Sequence, residues 1–193
     1  MKKKILIILI VIFLVICVVL VATKIIKEKQ KEREIIEIFE ENILFRVFVD
    51  NSYSDVDKTE KKISEINGIK DIEFHSKEQA LEEMKERLDS EAYILEQYEG
   101  ENNILPNSFN IKIELNNLDE IENIKNIEEE LSKIDGVKNV TSNYESYVNI
   151  YYEFGVEGLR KYVELMNIVS EGNSEKVDEY LKQNEGVENL LEY

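Results

Sequence analysis

The chain has one cysteine, one histidine, one proline and no tryptophan in 193 residues. Each scarcity removes a class of function. With Cys17 alone, no intrachain disulfide can form. With His75 as the single histidine beside that single cysteine, a conventional zinc site cannot be assembled. Carboxylates are plentiful, but no tryptophan is present to stack on a sugar, and runs such as Glu128-Glu129-Glu130 read as solvated helix faces. Asp50, Asp55 and Asp57 lack the glycine and terminal glutamate of an EF-hand loop. No glycine-rich phosphate loop occurs. The expectation is a non-enzymatic chain with no cofactor and no metal. Positive charge is also scarce: 24 Lys or Arg stand against 41 Asp or Glu, a net charge of −17. A field of that sign opposes nucleic acid and favours basic partners. One proline and seven glycines argue against disorder.

What the chain does have is one long apolar run, Ile5 to Ala22, never repeated. As a helix it rises roughly 27 Å, close to a bilayer core of about 30 Å. A cleaved signal peptide fits less well, because Leu20 occupies one position of the small-x-small site. A lipoprotein site at Cys17 would need a small residue where Ile16 stands. Residues 1–23 therefore read as an uncleaved anchor in the cell membrane, spanning it once through residues 5–23, with Cys17 facing lipid. Lys2, Lys3 and Lys4 form a compact basic flank, whereas Lys24, Lys27, Lys29, Lys31 and Arg33 are diluted by Glu28, Glu32 and Glu34. This favours a cytoplasmic N-terminus and an extracytoplasmic domain. Residues 24–42 read as a charged helical stalk ending in Ile35, Ile36, Ile38 and Phe39.

An internal echo follows. Ile63-Ser64-Glu65-Ile66-Asn67-Gly68-Ile69-Lys70-Asp71-Ile72 returns as Leu131-Ser132-Lys133-Ile134-Asp135-Gly136-Val137-Lys138-Asn139-Val140. Each copy ends a helical pattern at a glycine and opens an extended apolar segment. A strand candidate lies upstream of each. Ile43 to Val49 is continuously apolar enough to be central, and Phe109, Ile111, Ile113 and Leu115 alternate with polar residues. Helices are expected over 55–67 and 118–135. Strand-helix-strand, twice, is the duplicated unit of an α+β, ferredoxin-like split βαβ-βαβ sandwich.

An insertion at about 76–108 separates the halves. Ser76 with Gln79 forms a capping-box signature, and Leu81, Met84 and Leu88 then recur on one helical face. Ser90 is placed to cap a second short helix holding Tyr93, Ile94, Leu95 and Tyr98, closed by Gly100. Two short helices cannot hide all these apolar groups from water, so some face the sheet or a partner. In residues 146–193, Leu159, Tyr162, Val163 and Met166 mark an amphipathic helix, with a further short helix starting near Ser174. The aromatic stretch Tyr144, Tyr147, Tyr151, Tyr152 and Phe154 suits a helix face by its three- and four-residue spacing. The alternation of Val148, Ile150, Tyr152 and Phe154 suits a strand equally.

Ser76-Lys77-Glu78-Gln79-Ala80-Leu81, followed by Asn103-Ile104-Leu105-Pro106-Asn107-Ser108-Phe109 leading into a strand, resembles the extracellular domain of the FtsX family, the permease-like subunit of a cell-division ABC system. The family pattern is close to S-K-E-x-A-L and then N-P-L-P-x-S-F. The chain departs from it at Ile104, where proline is usual. The resemblance covers about residues 5–145. It implies an FtsX-type extracellular domain over 43–145, with the insertion as its helical lobe and residues 146–193 as a helical extension in place of a permease half. The implied partner is a peptidoglycan hydrolase or its adaptor, contacted through some of Leu81, Met84, Leu88, Tyr93, Ile94, Leu95 and Tyr98. The alternative is a structural tether or assembly factor for a cell-division permease-ATPase complex.

Overall fold

The computed structural model describes residues 2–53, 55–184 and 186–192, with side chains over residues 12–191 apart from Ser54 and Glu185. Helix α1, Lys2–Asn42, runs without a break into strand β1, Leu44–Val49. From Ile12 to Gln30 nearly every side chain is exposed, the large apolar ones included. Among the described residues no helix is long and apolar enough to cross a membrane. The expected anchor falls partly outside them, since the side chains of residues 5–11 are not described.

In β1 the alternation is strict. Phe45, Val47 and Val49 are buried, while Leu44, Arg46 and Phe48 point to the other face. Helix α2, Val56–Ser64, leads to β2, Ile69–His75. After the insertion comes β3, Ser108–Ile113. A 3-10 turn over Leu118–Asn123 then tightens the start of α4, Ile124–Ser132, which leads to β4, Val137–Ser142. The sheet order is β2-β3-β1-β4, and every neighbouring pair is antiparallel. Each βαβ unit is thus split by a strand of the other, and the two echo segments form equivalent helix-turn-strand units on the two edges. The expected α+β fold is observed in this order.

The echo extends to single hydrogen bonds. Gly68 has φ +87° and its carbonyl accepts from the Glu114 amide at 2.9 Å, just past β3. Gly136 has φ +88° and accepts from the Asp50 amide at 2.8 Å, just past β1. Each glycine therefore ties its helix-strand turn to the central strand of the opposite unit.

The undecided aromatic stretch is helical. Helix α5, Tyr144–Ser170, bends at Gly155, whose φ of 66° and ψ of −164° no other residue adopts readily. Tyr144 stacks on Phe45 with ring centres 5.9 Å apart, Tyr147 meets Tyr162 edge-on at 5.1 Å, and Tyr151 meets Phe39 edge-on at 5.8 Å. Spacing of three and four residues wins over alternation because the sheet offers one apolar face for a helix to cover. Helix α6, Ser174–Gln183, follows, and Leu159, Leu165, Val187 and Leu190 belong to the same buried cluster as Phe45 and Phe109.

That cluster also takes in the end of α1 through Ile35, Phe39 and Ile43. Polar contacts fix the junction. Glu40 receives Lys70 Nζ at 2.5 Å and the Leu115 amide at 2.9 Å. Asn143 accepts from the Leu44 amide at 2.9 Å and donates to the Asn42 carbonyl at 2.8 Å, bracketing the step from helix to strand. Arg160 of α5 grips Glu34 with two parallel hydrogen bonds of 2.5 and 2.7 Å. Burial pushes the Glu40 carboxyl up, but the bonds from Lys70 and the Leu115 amide outweigh it and the pKa lies below the ordinary 4.5.

Two outcomes are expected. A carboxylate with a depressed folded pKa contributes stability that is present above its unfolded value and lost as pH falls through the folded one. Denaturant titrations should therefore show Glu40→Gln destabilising at about pH 7, with the difference shrinking as pH falls below the ordinary carboxylate range. At Gly136 an added Cβ would lie 2.5 Å from the Tyr53 ring, on a backbone already at positive φ. Gly136→Val should cost roughly 2 kcal/mol or more, read as a lower melting temperature.

Candidate functional site

The two segments that carry the family resemblance meet in space. Ser76 caps helix α3, Lys77–Leu88, with its Oγ accepting from the Gln79 amide at 3.2 Å. Gln79 Oε1 accepts from the Ser76 amide at 2.8 Å, completing the box. The other segment supplies what the box leaves open. Asn107 Oδ1 accepts from the Lys77 amide at 2.9 Å, satisfying one more donor of the first turn. Buried Asn103 donates to the Lys77 carbonyl at 2.8 Å and accepts from the Leu105 amide at 3.0 Å. The Asn107 carbonyl accepts from the Val49 amide at 2.8 Å, and the Ile104 carbonyl from Asn51 at 3.2 Å. The asparagines thus strap the root of the lobe to the ends of β1 and β3.

Beyond α3 the expected second short helix is a 3-10 segment, Asp89–Tyr98, and Ser90 lies inside it and does not cap it. The chain reverses at Asp89, which takes φ 43°, so Leu88 and not Ser90 stands at the turn. A 3-10 segment places residues three apart on one edge, which presents a narrower apolar stripe than an α-helix. Lys85 of α3 pairs with Glu99, and this hydrogen bond raises the Lys85 pKa and pins the segment's far end.

The seven residues expected to face a partner divide three ways. Leu81 and Leu95 are buried and hold the lobe together. Leu88 and Tyr98 are half-buried. Met84, Tyr93 and Ile94 are exposed, Tyr93 to 67%. An apolar cleft of about 90 Å³ lies among them, lined by Leu81, Met84, Leu95, Tyr98, Ile104 and Leu105. Ile104 was not among the expected contacts, yet at 71% it is the most exposed large apolar side chain among the described residues. Its signal in the sequence was the departure from the family's usual proline, which puts a branched apolar side chain on the strap.

His75 ends β2 on the sheet face opposite the core, and its Nε2 lies 3.4 Å from Glu83 Oε1 of α3. Among the described residues no group of His, Cys, Asp and Glu is disposed to hold a metal ion.

The profile of the FtsX extracellular domain matches residues 42–151, more than half of the chain. The chain belongs to the FtsX extracellular domain family. This is the extracellular part of a cell-division membrane protein. Among solved structures, the chain is similar to extracellular domain 1 of FtsX from Streptococcus pneumoniae, crystallised with undecyl-maltoside. The two are 21% identical, with a TM-score of 0.44, covering 52% of this chain and 93% of that one. It is also similar to the large extracellular loop of FtsX of the same organism, solved in solution. That pair is 20% identical with a TM-score of 0.39, covering 53% of this chain and all of the loop. No curated protein matches the chain. Within the FtsX match, residues 42–151 run from the end of α1 into the first part of α5, so the lobe and its strap lie inside it.

Burial separates scaffold from surface on this FtsX-type lobe, and substitutions should do the same. Leu81→Ala should lower stability by about 2–3 kcal/mol through the cavity it leaves. Tyr93→Ala and Ile104→Ala should each change it by no more than about 0.5 kcal/mol. Thermal melts of the three variants check this.

Proposed function

We propose that the chain is a membrane-anchored, extracytoplasmic protein-binding module. It recruits or regulates a peptidoglycan hydrolase, or that enzyme's adaptor, in cell division or envelope remodelling. The observation that carries this reading is the exposed apolar rim of the lobe. Met84, Tyr93, Ile94 and Ile104 stand out of the water-facing surface beside an apolar cleft, on a lobe whose root is strapped by seven hydrogen bonds' worth of capping and asparagine contacts. A rigid mount under an apolar surface suits protein recognition, where a few large apolar and aromatic side chains supply most of the affinity. The chain's net charge of −17 adds attraction to a basic partner and speeds its approach.

Membrane attachment is part of the same reading. The exposed apolar side chains from Ile12 to Val21 surround α1 on all sides, which suits lipid and no aqueous setting. The domain then stands on the far side of the membrane from the Lys2-Lys3-Lys4 flank.

Two experiments test these statements. Protease added to intact wall-stripped cells should digest the domain; digestion only after lysis would overturn the topology. Affinity capture from solubilised membranes should enrich a cell-wall hydrolase or its adaptor. Combined Tyr93→Ala and Ile104→Ala substitution should weaken that capture ten- to hundredfold, the loss of about 1–3 kcal/mol expected for interface anchors. Recovery of a permease and its ATPase alone would point to the assembly-factor role instead.

A further inference from the structure

A second cleft, of about 140 Å³, lies between the lobe and the sheet face turned away from the core. Its chemistry is opposite to that of the chain as a whole. Arg46 reaches it from β1 and Arg87 from the last turn of α3, and Met84 and Leu105 line the same cleft. Arg46 donates its Nε to Asn110 Oδ1 at 2.9 Å, which fixes the plane of the guanidinium and leaves its two terminal nitrogens for another acceptor. Among the described residues neither arginine is ion-paired. Glu83 is the one acid lining the cleft, and it faces His75. In a chain with 41 acids, a cleft lined by two arginines and a single acid is a local reversal of charge. Met84 and Leu105 line this cleft and the apolar one, so the two adjoin.

We infer that the pair of clefts reads a two-part signal on a partner protein: an aspartate or glutamate received by Arg46 and Arg87, and a large apolar side chain beside it seated among Leu81, Leu95 and Ile104. The inference rests on the lobe being a protein-binding surface and names the chemistry it selects. A planar guanidinium matches a carboxylate with two parallel hydrogen bonds, which neither water nor an amide reproduces. The adjoining apolar walls lower the local dielectric and strengthen those bonds once the cleft is filled. A polyanionic polymer would use the arginines but not the apolar cleft, so a protein segment is the occupant that satisfies both. The partner is then basic overall, to suit the field of the chain, with an acid at this one point of contact.

The test uses the full chain in discs of zwitterionic lipid. A displayed random-peptide library is selected against it, after removal of peptides that bind empty discs. The expected peptides carry an acid at fixed spacing from a large apolar residue. A fluorescein-labelled member should lose about tenfold in affinity when its acid is changed to the amide, and about tenfold on Arg87→Gln. On the double variant Arg46→Gln, Arg87→Gln the acid and amide peptides should bind alike. Arg87 is exposed at the end of α3, so the single variant keeps the measurement meaningful if Arg46→Gln disturbs the sheet. Apolar peptides without an acid preference, or a preference that survives both arginine changes, overturn the inference. The lobe reading then stands if Tyr93→Ala and Ile104→Ala still abolish binding, and fails separately if they do not. Polyglutamate binding as tightly as the peptide overturns the two-part signal in favour of a simple polyanion site.

Discussion

Phe39 is fully buried one turn before its helix ends, and the strand that forms the middle of the sheet starts five residues later. Everything else in the domain is arranged around that short step. Because Ile35, Phe39 and Ile43 belong to the sheet's own core, α1 cannot pivot without opening it. Asn143 accepts from the first strand amide and donates to the last helix carbonyl, so one side chain spans the junction. Glu40 adds the Leu115 amide, just past β3, and Lys70 of β2, both on the other side of β1. A helix that elsewhere would hang from a linker is here the first structural member of the fold.

The lobe is built on the opposite principle. It is joined to the sheet by side-chain hydrogen bonds to backbone, chiefly from Asn103 and Asn107, and not by a shared apolar core. Asn103 belongs to the motif and Asn107 stands at its variable position, and both bond the Lys77 backbone at a helix start that projects from the sheet with polar groups of its own left open. The motif thus reports how the lobe is mounted. The large apolar side chains the lobe exposes lie outside the motif, as Tyr93 does, or replace one of its residues, as Ile104 does.

The sheet was legible in the sequence because its signals were local. The period of two in Phe109, Ile111 and Ile113, and the two helix-glycine-strand segments, name strands and turns without reference to distant residues. Central and edge strands followed from duplication. The long aromatic helix was not legible, since Tyr144, Val148, Tyr152 and their neighbours satisfy both periods, and only the free apolar face of the sheet chooses between them. The 3-10 segment after Leu88 was missed for a related reason: Ser90 is a good cap, but the turn is decided by the reversal at Asp89. Of the lobe residues singled out, pattern could say which were apolar and not which were covered. Leu81 turned inward while Met84, three residues on, turned outward, and of the adjacent pair Leu95 is buried and Ile94 exposed. The pairing of Arg46 with Arg87 across a cleft had no sequence signal, because residues 41 positions apart meet only through the topology.

From Thr23 to Arg33 almost every side chain of α1 is in solvent, and the helix there touches little but itself. Its composition is accordingly free to drift, provided it stays helical. Its length is not free. With the far end locked into the sheet, each residue added or removed would lift or lower the lobe by about 1.5 Å and swing it by about 100° around the helix axis. The stretch works as a ruler and a protractor at once, setting both the distance and the rotational offset between the apolar part of α1 and the sheet.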